Sequence, residues 1–105
     1  MSRPLVLRLT EAAEDDLASI WSYLASEASE DVANRLIARI EGACRSACQF
    51  PDSGPARAAL AMGLRVTFEG RYAIYYTHDE VALTVVRVLH GARDLTALVN
   101  GGTFT

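Results

Sequence analysis

The stretch from Gly63 to Leu95, GLRVTFEGRYAIYYTHDEVALTVVRVLHGARDL, constrains the fold more than any other part of this chain. Leu64, Val66 and Phe68 alternate with Arg65, Thr67 and Glu69, the period-two pattern of a strand with one buried and one open face. Glu69-Gly70-Arg71 reads as a turn, since glycine takes a positive φ without steric cost. In the next run, Tyr72 to Thr77, the residues Tyr72, Ile74 and Tyr76 face one way and Ala73, Tyr75 and Thr77 the other. His78-Asp79-Glu80 turns the chain again. Ala82 to Leu89 is apolar on both faces except at Arg87, which predicts a strand inside the sheet, away from its edge. Strands joined by turns this short form an antiparallel meander, and its apolar side needs a covering layer.

The N-terminal half supplies that layer. Leu5 to Leu9 predicts a short first strand, with Pro4 placed where no hydrogen bond need be donated. Thr10 caps a helix whose beginning is loaded with Glu11, Glu14, Asp15 and Asp16, where exposed amides and the helix dipole favour negative charge. Ala13, Leu17, Ile20, Trp21, Leu24 and Ala28 follow the three-and-four spacing of one helical face. After a break at residues 26–29, Ser29 caps a second helix with Glu30 and Asp31 in its first turn. Its stripe runs through Ala33, Leu36, Ile37, Ile40, Cys44 and Ala47 until Pro51 stops it. So short a connection makes the two helices an antiparallel hairpin. Gly42 inside the second helix costs about 1 kcal/mol relative to alanine, which calls for a close neighbour or a bend. Pro51-Asp52-Ser53-Gly54-Pro55 is a loop, followed by a helical turn over Ala58 to Met62. At the other end, residues 92–99 suit a short helix, and the tail from Gly101 is expected to fray.

The chain of 105 residues is a single domain over its whole length, with one modest core. Half of its residues are apolar, a high share for a small monomer, so some apolar surface is expected to await a partner. No run reaches the ~18 apolar residues of a spanning helix, and no apolar signal core follows Met1, so the expectation is a soluble, cytoplasmic protein with no membrane association. Cys44 and Cys48 lie four apart on one helical face, in poor geometry for a bridge, and read as small buried residues. His78 and His90 have no ligand spacing beside them, so neither metal nor cofactor is expected. The ten cations are all arginine, against a net charge of −3. That balance argues against non-specific nucleic-acid binding while leaving room for a local basic patch.

Arg87, in an apolar strand, needs a partner if buried; Glu69, Asp94 or a carboxylate of another chain would serve. Antiparallel pairing could also set it near Arg65 on one face. A ribonuclease would need a base, an acid and fixed cations. Arg65, Arg71 and Arg87 could serve as cations, Glu69 or His90 as base, and Tyr72, Tyr75 or Tyr76 as acid or stacking surface. The ordinary alternative is that such tyrosines bury their rings in the sheet and reach solvent with the hydroxyl.

Gly63-Leu64-Arg65, Arg71-Tyr72 with Ile74-Tyr75-Tyr76, and above all Arg87-Val88-Leu89-His90-Gly91-Ala92-Arg93-Asp94 give the chain a specific resemblance. Over roughly Leu7 to Leu98 it resembles the ParE-like branch of the ParE/RelE toxin superfamily. The resemblance implies an α+β fold: an N-terminal strand, an antiparallel helical hairpin packed on a largely antiparallel sheet, and a short C-terminal helix. It implies a type II toxin that inhibits DNA gyrase by binding, without chemistry of its own, and that is neutralised by a ParD-like antitoxin of the ribbon-helix-helix kind. On this reading Arg65, Arg71, Tyr72, Tyr75, Arg87, His90 and Arg93 are candidates to face antitoxin or target, and Trp21, Leu24, Leu36 and Ile40 to line an antitoxin groove. The alternative within the superfamily is a ribosome-dependent messenger-RNA endonuclease. Those enzymes rely on clustered lysines and arginines with a late tyrosine, whereas this chain has no lysine and no tyrosine after Tyr76.

Overall fold

The computed structural model describes residues 3–91. Its elements are β1 (Val6–Leu9), α1 (Glu11–Glu27), α2 (Glu30–Gln49), β2 (Arg65–Glu69), β3 (Tyr72–His78) and β4 (Ala82–His90). The expected C-terminal helix, and with it Arg93 and Asp94, lies outside the described residues. The strands form one sheet in the order β1-β4-β3-β2, with β1 parallel to β4 and the other neighbours antiparallel. The apolar strand β4 is therefore interior, as its composition requires.

Both helices begin at the residues that can cap them. Thr10 accepts from the Ala13 amide at 3.1 Å, and Ser29 from the Val32 amide at 3.1 Å, so each satisfies an amide that the helix itself cannot. The hairpin lies on one side of the sheet. There Leu36, Ile40, Cys44 and Cys48 of α2 and Ala13 of α1 close over Ile74, Tyr76, Leu83, Val85 and Val88. Cys44 and Cys48 are both buried and unbridged.

The strand β2 corrects one expectation. Its alternation is real, but the open side of the pleat, Arg65, Thr67 and Glu69, is the one in register with Tyr76, Ile74 and Tyr72, and so lies on the helical side. Leu64 and Val66 are buried on the opposite side with Ala73, Tyr75 and Leu89, beneath Leu60 and Ala61 of the helical turn after Arg57. Phe68 is left 55% exposed. Period two reveals two faces but not which one receives the helices.

A bulge shapes β4. Tyr75 pairs with Arg87 and Tyr76 with Val85, leaving Val86 as the additional residue. Bulges re-aim side chains, and this one falls where β1 ends and the chain departs into α1. The Thr10 amide donates to the Val85 carbonyl at 3.0 Å, and its hydroxyl to the Val86 carbonyl at 2.7 Å. Beyond that point β1 no longer pairs with β4, and Asp16 bonds the strand there. Its carboxylate accepts from the Val88 amide at 3.0 Å and is gripped by the Arg87 Nε and Nη2 at 2.7 and 2.8 Å. Asp16 thus serves the strand edge and not the helix dipole. Register also places Arg87 in line with Tyr75 and Val66, and Arg65 in line with Tyr76, so the two arginines sit on opposite sides of the pleat, contrary to expectation.

Candidate functional site

Where the helical hairpin overhangs the β2–β3 turn, a cleft of about 700 Å³ opens. Gly70 makes the turn with φ of 56°, a conformation that side chains rarely adopt, and so sets Glu69 and Arg71 on either side of it. From the sheet come Glu69, Arg71, Tyr72 and His90; from the helices come Ser19, Ile20, Tyr23, Leu36 and Arg39. Tyr72 and His90 are paired across β3 and β4, and their rings meet edge to face with centroids 5.5 Å apart. Arg39 donates its Nε to a Glu69 carboxylate oxygen at 3.0 Å, which links α2 to the end of β2. Arg71 is exposed and makes no ion pair among the described residues. The result is a partly apolar hollow with two guanidinium groups, one carboxylate, two phenols and an imidazole.

A second hollow, of about 560 Å³, runs between β1 and α2. Its floor is Leu5, Leu7, Leu9, Leu17, Ile37, Ile40 and Cys44, and its charged rim is Glu41 and Arg45. Among the described residues β1 is an edge of the sheet, and a sheet edge offers backbone groups to a further strand. Burial pushes the Cys44 thiol up to about 11, which keeps it protonated beneath this groove.

The candidates named from sequence are distributed over these features. Arg71, Tyr72 and His90 meet in the first cleft. Arg65 belongs to a different cluster, where Nη1 donates to the Gly54 carbonyl at 2.7 Å and the Asp52 carbonyl at 3.2 Å. His78 Nε2 lies 2.9 Å from the Asp52 carboxylate, and the Tyr76 hydroxyl donates to the Pro51 carbonyl at 2.8 Å, so together these groups tie the loop after α2 to the sheet. Tyr75 is 3% exposed on the far side, where burial raises its phenol. Arg87 is held by Asp16. Arg93 lies outside the described residues. The four proposed groove residues do not share one groove: Leu36 lines the first cleft, Ile40 the second, and Leu24 packs on the core. Trp21 donates its indole N–H to Asn34 at 2.8 Å across the hairpin.

Sequence reasoning missed Ser19, Ile20, Tyr23 and Arg39 as cleft residues. Ile20 and Tyr23 lie three apart, and Arg39 follows Leu36 by three, so each pair shares a helical face. Only the docking of the hairpin shows that these faces meet the β2–β3 turn. Among the described residues no three His, Cys, Asp or Glu side chains converge as metal ligands would, and no helix is long and apolar enough to cross a membrane.

Residues 7–95 match the family model of the ParE toxin of the type II toxin-antitoxin system parDE. The fold is similar to a solved structure described as a chromosomal ParDE TA system from P. aeruginosa, with a TM-score of 0.71 and 16% identity, covering 83% of this chain and 96% of that one. No curated protein sequence matches the chain.

Proposed function

This chain belongs to the ParE toxin family of type II toxin-antitoxin systems, and from that premise we propose that it arrests growth by binding and poisoning DNA gyrase, held silent by a cognate ParD-like antitoxin. The family match over residues 7–95 is the observation that carries the reading. The two hollows flanking the hairpin support it, because a partner chain can fill both an arginine-rimmed cleft and an apolar groove beside an open strand edge. On this reading the toxin does no chemistry. It binds, and the topoisomerase performs the DNA cleavage that it then fails to reseal.

One observation favours the ribonuclease reading as second choice: Glu69, Arg71, Tyr72 and His90 share one cleft. That set contains a carboxylate or imidazole as base, a phenol as acid and a cation for the phosphate. It ranks second because Arg65 and Arg87, the further cations such chemistry would draw on, are engaged with the 51–54 loop and with Asp16. Induced expression separates the two. Gyrase poisoning predicts growth arrest with accumulating DNA breaks and continued early translation, rescued by co-expression of the antitoxin encoded beside the toxin. Abrupt loss of translation with intact DNA would select the ribonuclease instead.

A further inference from the structure

The Arg39–Glu69 pair joins two partly exposed side chains, 57% and 28% accessible, so it contributes little to stability. Its position is the informative feature, because it lies in the wall of the cleft. Arg39 gives its Nε to Glu69 and makes no other hydrogen bond among the described residues. Arg71, two residues beyond Glu69, lines the same cleft without an ion-pair partner there. Ile20 and Leu36 supply apolar wall beside these guanidinium groups. Such a site suits a segment that presents a carboxylate next to an apolar side chain, since guanidinium binds carboxylate through paired, directional hydrogen bonds. A polyanion such as nucleic acid fits less well, because the chain as a whole carries a charge of −3 and polyanion binding depends on a surplus of cations.

We propose that the cleft is a carboxylate-recognition site for an acidic, amphipathic segment of the antitoxin, and that Glu69 is a built-in competitor for it. The proposal rests on the antitoxin reading above. Glu69 occupies Arg39 in the free chain and yields when the partner's carboxylate arrives. The fold holds Glu69 at a high effective concentration beside Arg39, so a segment lacking a well-placed carboxylate gains nothing there. An acidic segment exchanges one ion pair for another and adds Arg71. Glu69 thereby lowers the affinity of the cleft for a carboxylate-bearing segment.

The test uses the full chain and the full-length antitoxin encoded beside it, with dissociation constants measured by calorimetry at two salt concentrations. Arg39→Ala and Arg71→Ala are expected to weaken binding about tenfold or more each, with a shallower salt dependence. Glu69→Gln is expected to tighten binding about two- to fivefold, and this gain is expected to disappear in the Arg39→Ala background. Circular dichroism and thermal melts verify that the variants remain folded. Unchanged or weaker binding by Glu69→Gln overturns the competitor role. Arginine variants that bind as the parent does move the antitoxin away from this cleft and overturn the site. Failure of the parent chain to bind the antitoxin overturns the antitoxin reading and this proposal with it.

Discussion

Asp16 is the residue whose role is least apparent from its neighbours in sequence and most apparent from its contacts. Among four acids at the start of α1 it looks like one more contribution to the helix dipole, yet its side chain is 15% exposed and bonded to Arg87 and to the backbone of Val88. Removing it takes away the carboxylate that a largely buried guanidinium and a strand amide both bond. Asp16→Ala is therefore expected to lower the unfolding free energy by about 3 kcal/mol, measured by urea denaturation; a loss below about 1 kcal/mol would show that water replaces the carboxylate. The requirement that Arg87 find a carboxylate was legible in the sequence, because a charge inside an apolar strand demands one. Which carboxylate was not, since α1 and β4 meet only in the fold. Cys44 offers a pH test at the same scale. Its folded pKa of about 11 exceeds the ordinary 9.0, so the fold favours the thiol. That contribution is complete below pH 9 and is lost as pH rises through about 11. Stability is expected to fall over that interval in the parent chain and less steeply in Cys44→Ala.

Among the elements, the four strands and two helices of the described residues were readable from hydrophobic period and capping residues, because local pattern dictates each of them. What the pattern lacked was the third dimension: the parallel β1–β4 pairing, the bulge at Val86, and the side of β2 that meets the helices. The loop 51–55 shows how such information is held in single contacts. A Cβ on Gly54 would lie 2.5 Å from the Tyr76 hydroxyl and 2.6 Å from the Val66 carbonyl oxygen, so the loop can seal against the sheet only with glycine there. Gly54→Ala is expected to cost about 2 kcal/mol through this overpacking. Gly42 is the contrasting case. Among the described residues, no atom beyond its chain neighbours and its own helix backbone lies within 4 Å of a Cβ built there, so close packing by them does not account for it. Gly42→Ala is expected to stabilise α2 by about 1 kcal/mol. Chemical denaturation of both variants decides; equal effects of the same sign would contradict the packing account.

At the scale of the whole molecule, the apolar excess in the composition corresponds to real features. An apolar groove lies beside an edge strand, and Phe68 and Met62 are 55% and 95% exposed. The candidate site was half legible. Arg71, Tyr72 and His90 were named from the sheet and do converge, whereas the helical half of the cleft depended on how the hairpin docks. The chain belongs to the ParE toxin family and carries an arginine-bearing cleft and an apolar groove, and the function proposed for it is to act by binding. The most direct test is DNA supercoiling by purified gyrase in the presence of the antitoxin-free chain, with the reaction products examined for protein-linked breaks. The account predicts loss of supercoiling, accumulation of cleaved DNA, and reversal of both on adding antitoxin. Normal supercoiling, together with cleavage of messenger RNA on translating ribosomes by the same preparation, would contradict it.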